Sequence, residues 1–211
     1  MKTAALILLD GESPSRNTLI AYWDRSDLRV CADGAATICL DYGLEPDLII
    51  GDLDSLAPNL QSRFSSAKIL EVTDQSTTDG EKAIQYCVDQ GYRRINLLGA
   101  LGKRVDHSLY NLGLLRKYHD RLDELKMVSD SEEAYLISQK TELSAAPGTR
   151  ISLLPVFGRV DGVITRGLEY PVEDESLELG LHSSVSNTFS DESATVSFSS
   201  GLLLVVIGRQ A

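Results

Sequence analysis

The chain has 211 residues, 43% of them hydrophobic and 24% charged, with 20 Lys+Arg against 31 Asp+Glu for a formal net charge of −11. That length gives one to two domains and a core large enough to fold without a disulfide framework. The charge argues against a sequence-independent nucleic-acid binder and against docking on an anionic membrane, since both need a basic face; it leaves room for a phosphate-bearing substrate, because a bound metal ion inverts the local electrostatics. The start, Met1-Lys2-Thr3, leads into an apolar run at residues 4–9 that stops at Asp10-Gly11-Glu12. That run is too short for a signal sequence and reads as a buried strand. Further strands are predicted at 28–32, 47–50, 68–72, 95–99 and, more weakly, 125–129, and helices at 35–42, 58–65, 78–90 and 107–118. Gly91 follows the third helix as a C′ residue should. Strands alternating with helices imply a mostly parallel sheet covered on both faces.

After about Ser129 helical periodicity disappears. Strands are predicted at 149–155, 159–165, 194–198 and 202–207, with Ser199-Ser200-Gly201 as a hairpin turn and residues 138–148 as the loosest connection. The expected fold class is therefore α/β: an N-terminal, mostly parallel sheet flanked by helices over 1–128, and a smaller all-β sandwich over 129–211. The three cysteines, Cys31, Cys39 and Cys87, show no CxxC or Cys/His ligand spacing. They read as small buried hydrophobes in a reducing compartment. No run approaches the ~18 apolar residues of a membrane span. A cytoplasmic protein is expected.

Chemistry concentrates where predicted strands end. Ile49-Ile50-Gly51-Asp52-Leu53-Asp54-Ser55 closes an apolar strand with a glycine and two carboxylates. At a strand's carboxyl end both can face the crevice where open α/β sheets bind ligands, and two close carboxylates call for a cation between them. The bland alternative is an acidic turn with Ser55 capping the next helix. At the following junction, Thr77 or Thr78 can cap a helix whose first turn holds Asp79 and Glu81; alternatively Asp79 joins Asp52 and Asp54 around a metal while Thr78 faces phosphate. Spacing alone leaves these readings even. The next loop runs from Gly99 through Gly102-Lys103-Arg104-Val105-Asp106-His107 into a helix. It is neither a Walker A loop nor GxGxxG. Glycines let backbone approach a ligand, and Arg104 offers a bidentate fork to phosphate beside the compact charge of Lys103. Asp106 either caps the helix or orients Arg104. His107 and Asn111 share a helix face, although a lone histidine at a helix start is more often structural. Asp33-Gly34 and Asp10-Gly11 end two further strands in the same way. Together these junctions point to a nucleotide-phosphate crevice. In the β half, Tyr170 alone would be a packed aromatic, and Ser184, Ser186 and Asn187 alone would be turn residues.

The ordered set CADGAA, PDLIIGDLDS, TTDGEKA and GALGKRVDHSLYN, with GTRISLLP, GLEYP and SVSNT in the tail, resembles the thiamin pyrophosphokinase family over nearly the whole chain. The resemblance implies an α/β catalytic domain and a β-sandwich thiamin-binding domain. It implies a homodimer with sites between subunits, and transfer of the pyrophosphoryl group of ATP to the hydroxyl of thiamin with Mg²⁺, giving thiamin diphosphate and AMP. It puts the metal carboxylates on Asp52, Asp54 and Asp79, the phosphate-contacting arginine on Arg104 and the adjoining acid on Asp106. The expected nucleotide-facing set is Asp33, Gly34, Thr78, Lys82, Gly102, Lys103, Arg104, Asp106, His107 and Asn111. Thiamin contacts are expected from Tyr170, Ser184, Ser186 and Asn187. Leu53, Glu169 and Asp10 depart from the family's common Phe, Lys and Asn. A metal-dependent phosphohydrolase and a non-catalytic thiamin- or nucleotide-binding protein are the rival readings. The first would release phosphate without an acceptor; the second would be expected to have lost an acid or Arg104.

Overall fold

The computed structural model describes residues 4–54 and 58–209; Ser55 lies outside them. The chain divides into two compact units, Met1–Asp130 and Ser131–Ala211.

In the first unit six strands, β1 (Ala5–Leu8), β2 (Leu28–Ala32), β3 (Leu48–Gly51), β4 (Lys68–Glu71), β5 (Arg94–Leu98) and β6 (Glu124–Val128), lie in the order β6-β5-β1-β2-β3-β4. Every neighbouring pair is parallel. All of β1 and β3 is buried, which explains why these strands read as unbroken apolar runs: side chains on both faces are covered. On one face Leu6, Leu8, Cys31 and Ile49 pack with Leu19 and Trp23 of α1 (Arg16–Trp23) and Cys39 of α2 (Ala36–Tyr42). The chain also forms α3 (Pro58–Gln61), α4 (Asp79–Asp89) and α5 (Val105–Tyr118). α4 packs against β1, β2 and β3.

The differences from the predicted elements have local causes. α1 was not anticipated. It is eight residues long with only Thr18, Leu19 and Trp23 buried, too few to show a period, and its start is set by Ser15, whose side chain accepts from the Thr18 N–H. The helix predicted at 58–65 is a single turn, Pro58–Gln61. The helix predicted from 35 is preceded by a 3-10 turn, Asp33–Ala35.

The second unit holds β7 (Glu132–Ile137), β8 (Thr141–Ser144), β9 (Arg150–Leu154), β10 (Val160–Arg166), β11 (Glu173–Leu177), β12 (Ser184–Thr188), β13 (Ser193–Ser197) and β14 (Leu203–Gly208). They form two antiparallel arrays, β12-β9-β14-β7 and β11-β10-β13-β8. Ile151, Leu153 and Val205 from one array and Val163, Leu177 and Val196 from the other share a single core, as in a sandwich. Ser199-Ser200-Gly201 is not a hairpin turn. β13 pairs with β10 and β8, and β14 with β7 and β9, so this segment carries the chain from one sheet to the other. Two apolar runs around a short turn look the same in either case; only the partners differ. The stretch predicted as a loose connection contains β8. Among the described residues no helix is long and apolar enough to cross a membrane.

Candidate active site

The chain lays down β1 to β4 moving outward, and α4 then returns it to β5 on the other side of β1. The crossovers that follow β1 and β5 therefore run in opposite directions along the sheet, which opens a crevice at the carboxyl ends of these strands. A cleft of about 330 Å³ lies there, lined by Asp10 and Gly11 after β1, Asp33 and Gly34 after β2, Thr78, Asp79 and Gly80 at the start of α4, and Gly102, Lys103, Arg104, His107 and Asn111 after β5. Its floor is bare backbone: the N–H groups of Leu9 and Gly11 donate to the carbonyls of Leu98 and Gly99, both at 2.8 Å. A Cβ on Gly11 would stand 2.3 Å from the Gly99 carbonyl oxygen, and one on Gly99, at φ +66°, 2.2 Å from that of Leu9. Neither position admits a side chain.

On one side of the cleft Asp33 brings its carboxylate to Asp52 and Asp54, with one oxygen from each lying within 4.8 Å of the others. Asp33 is 3% exposed. Three of the five non-glycine residues with positive φ among the described residues, Asp33, Leu53 and Lys103, belong to these loops; such strain persists where the surroundings impose it, often at functional sites. The Asp54 N–H donates to Asp52 Oδ1 (3.3 Å) and Gln75 Nε2 to Asp52 Oδ2 (3.0 Å). The Gln75 bond is the chief reason the Asp52 pKa lies below its ordinary value. Asp79 adjoins this trio, engaged at 2.8 Å by the ammonium of Lys82, which is itself buried. Gly51 makes the gathering possible: a Cβ there would lie 2.8 Å from that of Asp33 and 3.3 Å from Asp79 Oδ1. Three ionised carboxylates this close repel one another unless a cation or proton lies between them. Their donor set, oxygen only, suits a hard divalent cation.

On the other side stand the cations. Arg104 forks onto Asp106, with Nε donating to Oδ1 at 3.1 Å and Nη2 to Oδ2. The guanidinium holds the Asp106 carboxyl at about 2, and the carboxylate raises the Arg104 pKa in return. Of the two readings of Asp106, the structure shows the one that orients Arg104; the N-cap position of α5 belongs to Arg104. Lys103 reaches Asp10 at 2.7 Å. Thr78 caps α4 by accepting from the Glu81 N–H at 3.3 Å. Asn111 Nδ2 is bonded to the Ala100 carbonyl (2.8 Å), so it holds the glycine loop in place. His107 is exposed at the rim.

In the second unit Tyr170 is 64% exposed, yet its main chain is clamped by Asn187, which is 3% exposed. The Tyr170 N–H donates to Asn187 Oδ1 (3.0 Å), and Asn187 Nδ2 donates to the Tyr170 carbonyl (2.6 Å) and to Ser184 Oγ (3.2 Å). Ser186 adopts φ +57°, and its N–H donates to Ser152 Oγ at 3.0 Å. The structure thus joins Tyr170, Ser184 and Asn187, with Asn187 spent on the backbone. Sequence reasoning did not single out Gln75, or place Asp33 with the paired aspartates. The glycine after Asp33 was a signal for a ligand loop, but nothing in the spacing showed how closely that loop approaches β3.

The sequence model for "Thiamin pyrophosphokinase, catalytic domain" matches residues 19–128, and that for "Thiamin pyrophosphokinase, vitamin B1 binding domain" matches 136–203. The chain belongs to the thiamin pyrophosphokinase family. Within it, thiamine pyrophosphokinase 1 of Oryza sativa subsp. japonica is 27% identical, covering 96% of this chain and 86% of its own length. Thiamine pyrophosphokinase of Bacillus subtilis is 24% identical over 89% of this chain and 90% of its own. Among solved members of the thiamin pyrophosphokinase family, the Geobacillus thermodenitrificans structure superposes with a TM-score of 0.85 at 26% identity, covering 99% of both chains. The Bacillus subtilis structure does so at 0.88, covering 99% of this chain and all of its own, and at 21% identity it bears on the fold.

Proposed function

We propose that the protein is a thiamin pyrophosphokinase, transferring the pyrophosphoryl group of ATP to the hydroxyl of thiamin to give thiamin diphosphate and AMP. The observation that carries this reading is one cleft at the sheet's switch point lined by Asp33, Asp79 and a glycine-bearing cationic loop, with Asp52 and Asp54 gathered onto Asp33. Family membership supplies the substrates. In this reading Asp33, Asp52 and Asp54 hold Mg²⁺ with Asp79 beside them; when bound, the ion offsets the charge of the polyphosphate. Arg104 and Lys103 give up Asp106 and Asp10 to bind phosphate oxygens, and the Gly34 and Gly102 loops leave backbone close to the nucleotide. Lys82 keeps Asp79 oriented, and Asn111 keeps the 99–102 loop in register. Residues 1–128 bind nucleotide and carry catalysis, and residues 129–211 bind thiamin, with Tyr170 as an aromatic platform near Ser184 and Ser186.

We also propose a cytoplasmic homodimer with sites shared between subunits. Its support is exposed apolar surface beside the candidate residues: Val105 and Leu109 next to Arg104, and Leu181 and Val185 next to Ser184. Cys31, Cys39 and Cys87 are all buried, and none is in a disulfide. The purified protein given ATP, Mg²⁺ and thiamin is expected to release AMP with thiamin diphosphate. ADP as the nucleotide product would refute pyrophosphoryl transfer, and phosphate release without thiamin would favour a hydrolase. Sedimentation of the same preparation tests the dimer.

A further inference from the structure

Thr78 and Glu81 have the spacing of a capping box, in which the acid at the third helical position reaches back to the cap residue's own N–H. Half of the motif is present in the bond from the Glu81 N–H to Thr78 Oγ1. The carboxylate goes elsewhere. Glu81 is 5% exposed, and α5 takes both its oxygens: Tyr110 Oη donates to Oε2 at 2.7 Å, and Lys117 Nζ pairs with Oε1. One turn further along α4, Gln85 Oε1 accepts from Tyr118 Oη at 3.3 Å and from Arg121 Nη1 at 3.1 Å. A polar seam therefore ties α4 to α5 and the turn that follows it. The seam begins directly behind the cleft. Glu81 lies two residues past Asp79, and Tyr110 adjoins Asn111; in front of them a Cβ on Gly80 would be 3.6 Å from Asn111 Oδ1. As a source of stability a buried carboxylate is a poor choice, since apolar side chains of similar volume usually hold helices together as well or better. What it supplies is a directional hydrogen bond from Tyr110 and an ion pair with Lys117.

We infer that Glu81 is a positioning residue: through Tyr110 in the second turn of α5 and Lys117 in its last turn it sets the separation of the first turn of α4 from α5, and so the width of the cleft available to a nucleotide's phosphate chain. The inference rests on the pyrophosphokinase reading of that cleft. The test is Glu81→Leu beside wild type, read by thermal melting, by calorimetric titration with Mg·ATP in the absence of thiamin, and by steady-state kinetics. Glu81→Leu is expected to melt within a few degrees of wild type, to bind Mg·ATP about tenfold more weakly with KM for ATP raised in step, and to keep KM for thiamin and kcat within about twofold. Glu81→Gln, which still accepts from Tyr110, is expected to recover most of the affinity. Unchanged ATP affinity in folded Glu81→Leu, or a loss confined to kcat, overturns the inference. Should Glu81→Leu fail to fold, Tyr110→Phe removes one of the two bonds at a partly exposed position, and the same readouts decide. Wild type that binds Mg·ATP but releases no AMP would refute the reaction while leaving the affinity test valid.

Discussion

Asp33, Asp52 and Asp54 sit close enough to repel one another, and that repulsion is a measurable property. Binding a divalent cation to the native state alone stabilises it by mass action, by about 2.7 kcal/mol at a hundred times Kd. Saturating Mg²⁺ is therefore expected to raise the melting temperature, and EDTA to reverse the rise. In Asp33→Asn and Asp52→Asn the Mg²⁺-dependent shift should shrink and turnover should fall by about a hundredfold or more, since each removes charge placed to hold the ion that stabilises the transferred group. A full Mg²⁺ response in either variant would contradict the metal role. The Arg104–Asp106 pair makes a separate prediction in pH. The Asp106 carboxyl is depressed to about 2 from an ordinary 3.8. Its contribution to stability is therefore complete above about pH 4 and is lost as pH falls through 2. Both side chains are exposed, so the effect belongs in a site-resolved titration, not in a melting curve. Carboxyl NMR should show Asp106 returning towards 3.8 in Arg104→Gln, and moving the same way when ATP takes the guanidinium.

At the scale of the element, Asn187 shows how a buried side chain can do the work of a ladder. It supplies one acceptor and one donor to the main chain of Tyr170, where β12 reaches the loop after β10. Asn187→Ala leaves a backbone N–H and C=O without these partners and is expected to destabilise the protein by about 1–3 kcal/mol. Asn187→Asp keeps the acceptor but replaces the donor with a buried carboxylate oxygen facing the Tyr170 carbonyl, and is expected to cost at least as much. Denaturant unfolding checks both, and equal stability of Asn187→Ala and wild type would rule out the clamp. The elements that could be read from sequence are those with a strong local signal. β1 and β3 are buried on both faces and appear as apolar runs. α4 carries its cap at Thr78 and its stop at Gly91. α1, β7, β8, β11 and β12 were missed for the opposite reason: RNTLIAYW is a short helix with few buried residues, and EEAYLI, TELS, EDESL and SVSNT are short or polar segments without a sustained apolar alternation. Their pairing is decided by neighbours distant in sequence.

For the whole molecule, the deciding feature is the reversal of strand order at β1. It brings the loop after β1 against the loop after β5, about ninety residues away, at a separation that only glycine tolerates. Gly99→Ala would place a methyl 2.2 Å from a carbonyl oxygen in a left-handed conformation. It is expected to cost about 3 kcal/mol or more and to lower the soluble yield sharply. Gly43→Ala, also left-handed but with nothing within 4 Å, should cost only about 1 kcal/mol, so comparing the two by thermal melting isolates the close approach. Charge belongs to this scale too. Residues 129–211 hold 12 acids and five bases, against 19 and 15 over residues 1–128. The overall −11 therefore says little about the cleft, where placement decides. By itself the sequence determined the alternation of strands and helices, the switch to an all-β half and the family, because periodicity, caps and motif order are local properties written along the chain. Only the tertiary structure decided that Asp33 joins Asp52 and Asp54, that Asn187 is committed to Tyr170, that Glu81 turns from its own helix to α5, and that residues 199–201 cross between sheets. Each of those depends on which loops and strands become neighbours, and that is fixed by the packing of the whole sheet.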